Sequence, residues 1–339
     1  MRLAKVPREE AEEWRLRISA LDALRRDARI CEEGGWVLIP LRDDRVERIE
    51  RLGLPIIEGD ARPRAAYVAP YDQVAAKLDL PPYLRGYLPK HWELLGDVLV
   101  LRIPNELAGI RGKVAEAYAI VLGARTVCQE VGVIGGVHRE PKMEVIWGDG
   151  TETVHRENGI LYKLDVVKVM FSSGNVPEKK RMSELDCRGE TVVDMFAGIG
   201  YFTLPLAVHA QARRVVACEI NPVAFEYLVE NVRLNRVEHQ VKPVLGDNRS
   251  LPGRGCADRV VMGYVGTTHL FLTKALDLVK VGGVIHYHET CPVDEWPERP
   301  IARIGAAARG RDWEIRYKGE VKSFAPSISH YVLDVQVLS

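Results

Sequence analysis

The stretch "VVDMFAGIGYFTLPLA", residues 192–207, has the residue types of a nucleotide-binding turn. A strand is predicted to end at Asp194, a glycine loop follows, and a helix is predicted to open near Tyr201. Gly198 and Gly200 carry no Cβ, so a ligand can approach the backbone closely there. A dinucleotide fingerprint would place a third glycine at position 203, where this chain has Thr203. Glu219 ends the next predicted strand, where a carboxylate can accept hydrogen bonds from both hydroxyls of a ribose. Asp247, with Asn248 beside it, ends the third, where it can accept from an adenine amino group. The competing reading makes Glu219 and Asp247 helix caps. Acid at both strand ends, after Asp194 and the glycines, favours a ligand.

His286 and His288 alternate with Tyr287 on a predicted strand, so both point to one face. They are candidate catalytic groups, as a general base or as side chains that orient an acceptor. Structural histidines with satisfied partners are the other reading. No third ligand accompanies them, so no metal site is expected. The six cysteines, at 31, 128, 187, 218, 256 and 291, show no C-x-x-C spacing. A cysteine zinc site and a disulfide framework are therefore not expected.

These residues need a scaffold that gathers strand ends. From about residue 185 the pattern alternates strand and helix. The strands are "TVVDMFA", "RRVVACEI", "QVKPVLG", "DRVVMGY" and "GGVIHYHE", and the helices between them include "NPVAFEYLVENVRLN" and "HLFLTKALDLV". That alternation predicts a mainly parallel sheet with helices on both faces and a ligand at the strands' carboxyl ends. Two more strands, "WEIRYKGEVKSF" and "SHYVLDVQVL", close the chain. The fold class expected is thus α/β. The carboxyl-terminal domain, residues 176–339, follows an α+β domain at 80–175 and a small α+β unit at 1–65. In the first unit "VPREEAEEWRLRISALDALR" reads as one helix, with Trp14, Ile18, Leu21 and Leu24 on one face. "GGWVLIPL" reads as a strand, and the Pro-rich "ARPRAAYVAPYDQVAAKLDLPPYL" as the linker.

Lys+Arg and Asp+Glu both number 47 in 339 residues, so the formal net charge is zero. Any nucleic-acid contact must then come from a folded patch rather than a basic tail. Lys163, Lys168, Lys179, Lys180 and Arg181, with His155 and Arg156, are candidates for phosphate contacts as a set. The charged amino terminus lacks a signal-peptide core, and no apolar run is long enough to span a bilayer. The expectation is a soluble cytoplasmic monomer without a membrane partner.

The carboxyl-terminal pattern resembles the class I S-adenosylmethionine-dependent methyltransferase fold. More narrowly, "DMFAGIGYFTLPLA", "INPVAFEYLVENVRLN", "ADRVVMGY" and "GGVIHYHET" resemble a family acting on guanosine 37 of tRNA. The resemblance extends upstream through "TVHRENGILYKLDVVKVMFSSGNVPEKKRM" and, more loosely, to "KVPREEAEEWRLRI". That family has two branches: tRNA guanine-37 N1-methyltransferases, and aminocarboxypropyltransferases of the wybutosine pathway. The methylating branch is distinguished by Asn-Pro after "RV-x-M" and by Arg after "FSP". This chain has Gly263-Tyr264 at the first place and Gly174 at the second. "MGYV-x-x-TH" and "FS-x-x-N-V-x-E" are similar to the aminocarboxypropyl branch.

The resemblance implies S-adenosylmethionine as cofactor and tRNA-Phe, at position 37 of its anticodon loop, as partner. The acceptor would be carbon 7 of 4-demethylwyosine and the by-product methylthioadenosine. Ser172 and Lys179 lie where family members contact the cofactor, although Lys179 replaces the usual Arg and so offers a less directional contact. Glu219 would bind ribose, and Asp247 with Asn248 the adenine end. Asn175 is a candidate for the region near the transferred group. Tyr264 can stack on base or cofactor, or be an ordinary rim aromatic. The alternatives are a tRNA guanine-37 N1-methyltransferase, a catalytically silent tRNA-binding protein and, more remotely, a nicotinamide dehydrogenase.

Overall fold

The computed structural model describes residues 1–64, 67–132, 136 and 141–339. The chain divides into two compact units, Met1–Asp72 and Gln73–Ser339. Residue 65, where the first domain was expected to end, lies outside the described residues.

In the first unit, strand β1 (Arg2–Pro7) leads into helix α1 (Ala11–Ala20). Strands β2 (Cys31–Glu33) and β3 (Trp36–Pro40), helix α2 (Val46–Glu50) and strand β4 (Ile56–Glu58) follow. The sheet is antiparallel, in the order β2-β3-β1-β4. The helix expected from residue 6 begins only at Ala11, because Arg2–Pro7 pairs on both sides as the inner strand. Ile18 is fully buried and Trp14 packs beside it at helical spacing, but the helix ends at Ala20, so Leu21 and Leu24, expected on the same face, lie beyond it and reach the core from the following segment, Leu24 in a bridge to Leu41.

Helix α3 (Pro70–Lys77) spans the boundary between the units, and α4 (Pro82–Arg85) follows in the second. Strands β5 (Trp92–Leu95) and β6 (Val98–Leu101) follow, then helix α5 (Arg111–Leu122) and strands β7 (Thr126–Glu130) and β8 (Met143–Gly148). They make one sheet, β5-β6-β7-β8. β6 and β7 run parallel because α5 carries the chain back between them. The hairpin β9 (Glu152–Glu157) and β10 (Ile160–Asp165) stands apart as a two-stranded sheet.

Helix α6 (Val176–Ser183) precedes the large sheet. Its elements in chain order are β11 (Thr191–Asp194), α7 (Thr203–Val208), β12 (Arg214–Glu219), α8 (Pro222–Leu234), β13 (Val241–Leu245) and β14 (Ala257–Met262). Then come α9 (Leu272–Leu278), β15 (Val279–Pro292), α10 (Glu298–Ala308), β16 (Trp313–Ala325) and β17 (Ile328–Val337). The seven strands lie in the order β13-β12-β11-β14-β15-β17-β16. The first five are parallel, and β17 and β16 are antiparallel to their neighbours. Apolar clusters on the two faces bury the sheet from both sides. The strand order reverses between β11 and β14, which opens a crevice at their carboxyl ends. Helix α10 falls in a stretch for which the sequence reading named no element. Pro300 is accommodated because the first helical turn needs no N–H from it.

Two side chains of α8 fasten the separate hairpin to this layer. Asn231 accepts from the Lys163 N–H at 2.6 Å and donates to the carbonyls of Lys163 (3.1 Å) and Ile199 (3.0 Å). One turn on, Asn235 accepts from the Leu161 N–H at 2.9 Å and donates to its carbonyl at 2.7 Å. The two amides thus pair with β10 along the edge that β9 leaves open. No described helix is long and apolar enough to cross a membrane.

Candidate active site

The carboxyl ends of β11 to β14 open into a cavity of about 670 Å³. Asp194, the last residue of β11, is completely buried. Asp194 accepts from the Phe196 N–H (3.2 Å) and from the Thr203 hydroxyl (2.7 Å), which closes the glycine loop onto α7. Burial pushes the Asp194 carboxyl up to about 6, against those two hydrogen bonds, and the nearby Glu219 charge adds to the rise. Gly200 has φ +109°, a conformation open to glycine, and a Cβ there would come within 2.9 Å of Leu204.

Glu219, at the end of β12, accepts from the Gly198 N–H at 2.7 Å through one oxygen and from the Asn221 N–H at 2.8 Å through the other. It therefore fixes the glycine loop while lining the cavity. A carboxylate has further lone pairs and can still accept from two hydroxyls. The cap of α8 is Asn221, whose Oδ1 accepts from the Val223 N–H at 2.9 Å. Asp247 both lines the cavity and caps a short turn, accepting from the Arg249 N–H at 2.9 Å. The Arg249 guanidinium beside it holds the Asp247 carboxyl below its usual range. Asn248 is buried, and it donates to the Met195 carbonyl at 2.8 Å while its Oδ1 has no hydrogen-bond partner.

Residues 153–316 match the TRM5/TYW2 methyltransferase domain, 74–151 the TYW2 N-terminal domain and 5–50 the tRNA methyltransferase 5 N-terminal domain. The chain is 45% identical over 261 residues to the tRNA(Phe) (4-demethylwyosine(37)-C(7)) aminocarboxypropyltransferase of Pyrococcus horikoshii, covering 76% of this chain and 93% of that relative. The chain belongs to the TRM5/TYW2 family. It is also 34% identical to the tRNA (guanine(37)-N(1))-methyltransferase Trm5b of Pyrococcus abyssi, over 98% of each chain. The crystal structure of P. horikoshii TYW2 in complex with MeSAdo superposes with a TM-score of 0.72 at 42% identity, covering 79% of this chain and 99% of that one. The crystal structure of P. abyssi Trm5b gives 0.72 at 33% identity over the full length of both.

In this TRM5/TYW2 chain the cavity gathers Ser172, Asn175, Gly198, Glu219, Asp247, Asn248 and Tyr264. Asn175 is 9% exposed, and its Oδ1 also lacks a partner. Tyr264 stacks on Phe196 with ring centres 5.2 Å apart and planes 19° apart, so one of its faces meets protein.

Three predicted residues stand outside the lining. Lys179 is 3% exposed, its ammonium 2.7 Å from Glu157 and 4.7 Å from the Phe171 ring centre. Its α6 position turns it behind Phe171, so the cation braces the cavity wall. Burial pulls the Lys179 pKa down, and Glu157 opposes the fall. His286 and His288 share a face, as their spacing predicts, but that face is packed against protein. His286 bonds Asp334 at 2.6 Å and Arg259 at 2.9 Å. His288 bonds His330 at 3.0 Å, and burial drives its pKa well below the ordinary value. The histidine that lines the cavity is His330, on β17. Sequence reading missed it, because only strand pairing brings "SHYVLDV" beside the parallel strands. Lys322 and Phe324, on β16, were missed for the same reason, and Arg102 because it follows β6 of another sheet.

The set of cations expected to meet phosphates is largely engaged with carboxylates. Lys163 bridges Glu152 (3.0 Å) and Glu230 (2.9 Å), Lys168 meets Asp165, and Lys180 meets Glu184. Arg181 is held by Glu178 and Asp334 at 2.7 Å each. These pairs make the set a weaker phosphate surface than its sequence suggests.

Proposed function

We propose that this protein transfers the 3-amino-3-carboxypropyl group of S-adenosylmethionine to carbon 7 of 4-demethylwyosine at position 37 of tRNA-Phe. The observation that carries the reading is the composition of the cavity at the two places where the branches differ. Gly174 and Gly263-Tyr264 stand in the lining, so neither the arginine nor the Asn-Pro of the methylating branch is present. The 45% identity to an aminocarboxypropyltransferase supports it.

The residues present fit the cofactor. Asn248 offers a buried acceptor without a partner, which suits the donor of an adenine amino group. Glu219 offers a carboxylate for the two ribose hydroxyls, and the glycine loop leaves room for the sugar. When bound, S-adenosylmethionine supplies a sulfonium with three electrophilic carbons, of which the methyl is the least hindered in solution. The protein's work is then placement: its side chains must set the amino-acid arm in line with the carbon nucleophile and turn the methyl away. Ser172 and Asn175 sit on the wall nearest α6, and Tyr264 with Phe196 forms an aromatic floor for a base. Lys179 holds that wall in place through Phe171. The anticodon loop is the tRNA segment that enters, and the unit matching the tRNA methyltransferase 5 N-terminal domain makes a second contact with the tRNA. The protein works as a cytoplasmic monomer.

Guanine-37 N1-methylation is the second reading, favoured by the full-length match to Trm5b. Incubation with tRNA-Phe carrying 4-demethylwyosine separates the two. The expected result is a nucleoside mass gain of one aminocarboxypropyl group, with methylthioadenosine released. A methyl-sized gain with S-adenosylhomocysteine would overturn the proposal.

A further inference from the structure

We propose that Phe202 is a specificity-determining residue for the acceptor base, and that Gly263 is the seat that holds its ring in place. The inference rests on the proposed function and says how the cavity would tell a tricyclic base from guanine.

Gly263 follows β14 directly. Its φ lies outside the left-handed region, so the backbone there accepts any residue. Space is what requires glycine. A Cβ at 263 would fall 2.6 Å from both Cδ2 and Cε2 of Phe202, far inside ordinary carbon–carbon contact. Phe202 ends the glycine loop just before α7, and its ring crosses from that loop to the end of the neighbouring strand β14. The ring is 3% exposed and also packs on the His288 imidazole of β15, with ring centres 5.2 Å apart and planes 33° apart. His288 is fully buried and tied to His330 at 3.0 Å, so the ring has little room to give way. An asparagine at 263, as in the methylating branch, would need the volume that Phe202 fills.

The side chains at this end of the cavity are accordingly hydrocarbon. Phe202, Val265 and the Phe196–Tyr264 stack line it, and the Tyr264 hydroxyl is the one polar side-chain group among them. Guanine carries a hydrogen on N1 that needs an acceptor. In 4-demethylwyosine N1 is closed into the third ring and carries none, and the reacting atom is a carbon. A hydrocarbon wall therefore suits the tricyclic base, whereas guanine would bury its N1–H without a partner. The ribose and adenine end of the cavity, at Glu219 and Asn248, takes no part in this choice.

Filter binding with the full-length protein, saturated with methylthioadenosine, tests the assignment without turnover. It compares tRNA-Phe carrying 4-demethylwyosine at position 37 with tRNA-Phe carrying guanosine there. The wild type should prefer the first about tenfold. Phe202→Asn puts an amide where the ring stood, and should erase most of the preference by tightening the guanosine form. Gly263→Ala should weaken the tricyclic form about fivefold, because the displaced ring enters the cavity. Gly263→Ala combined with Phe202→Leu should recover the preference, since the shorter side chain leaves room for the added carbon. Methylthioadenosine affinity, read by calorimetry, should stay within about twofold throughout. An unchanged preference in Phe202→Asn or in Gly263→Ala would overturn the proposal, as would a double variant that does not recover it. So would a methylthioadenosine affinity that falls in step with both tRNAs, because the ring would then serve packing alone. Release of S-adenosylhomocysteine by the wild-type enzyme would instead overturn the proposed function, and the variants' binding preference is read without it.

Discussion

Glu219 carries two loads at once, and this makes its substitution informative. Its oxygens fix the Gly198 and Asn221 amides, and the same carboxylate is the proposed ribose acceptor. Glu219→Ala should weaken S-adenosylmethionine and methylthioadenosine alike by about a hundredfold, since charged hydrogen bonds are worth roughly tenfold or more each. The tRNA affinity, measured by filter binding, should stay unchanged. Asp194 gives a pH prediction. Its carboxyl sits at about 6 in the folded protein against an ordinary 3.8, chiefly because it is buried. The folded state therefore binds the proton more tightly. The stabilisation is complete below about 3.8 and is lost as pH rises through about 6. Asp194→Asn keeps a neutral group that can still accept from Phe196 and bond Thr203. Its unfolding free energy should exceed that of the wild type by up to about 3 kcal/mol at pH 7.5, and the two should converge near pH 4. Equal stabilities at pH 7.5 would contradict this origin of the shift.

At the scale of elements, the hairpin β9–β10 depends on a helix for its second edge. Asn231 is fully buried and satisfies three backbone groups, so Asn231→Ala leaves them without partners. The expected cost is about 3 kcal/mol in urea unfolding. Asn235 is only half-buried and serves two groups of Leu161, so its loss should cost about 1 kcal/mol. If both substitutions cost the same, solvent must already satisfy the inner strand. The motif "VENVRLN" showed the helix from its periodicity but not this role, because an exposed-looking asparagine gives no sign of which strand lies against it.

For the whole molecule, the relatives divide by extent. P. horikoshii TYW2 covers 79% of the chain, whereas Trm5b covers all of it. The residues proposed to hold the cofactor all lie in the second unit. A variant beginning at Pro70, which keeps α3 whole, should bind methylthioadenosine as tightly as the full chain does. Its tRNA affinity should fall, and its dependence on salt should become shallower. A drop in methylthioadenosine affinity would mean that the first unit supports the cavity.

What the sequence by itself determined was the order of elements in the large domain and the ligand end of its sheet. Asp194, Glu219, Asp247 and Asn248 are legible because each stands at the end of a strand that local pattern defines, and parallel strands bring those ends together. Gly174 and Gly263-Tyr264 are legible as departures within motifs. Lys322, Phe324 and His330 belong to a terminal antiparallel pair whose register is set by packing, so their arrival at the cavity could not be read along the chain. The same holds for the faces of His286, His288 and Lys179. Periodicity says that side chains share a face, but only the tertiary structure decides whether that face meets a ligand or a buried carboxylate.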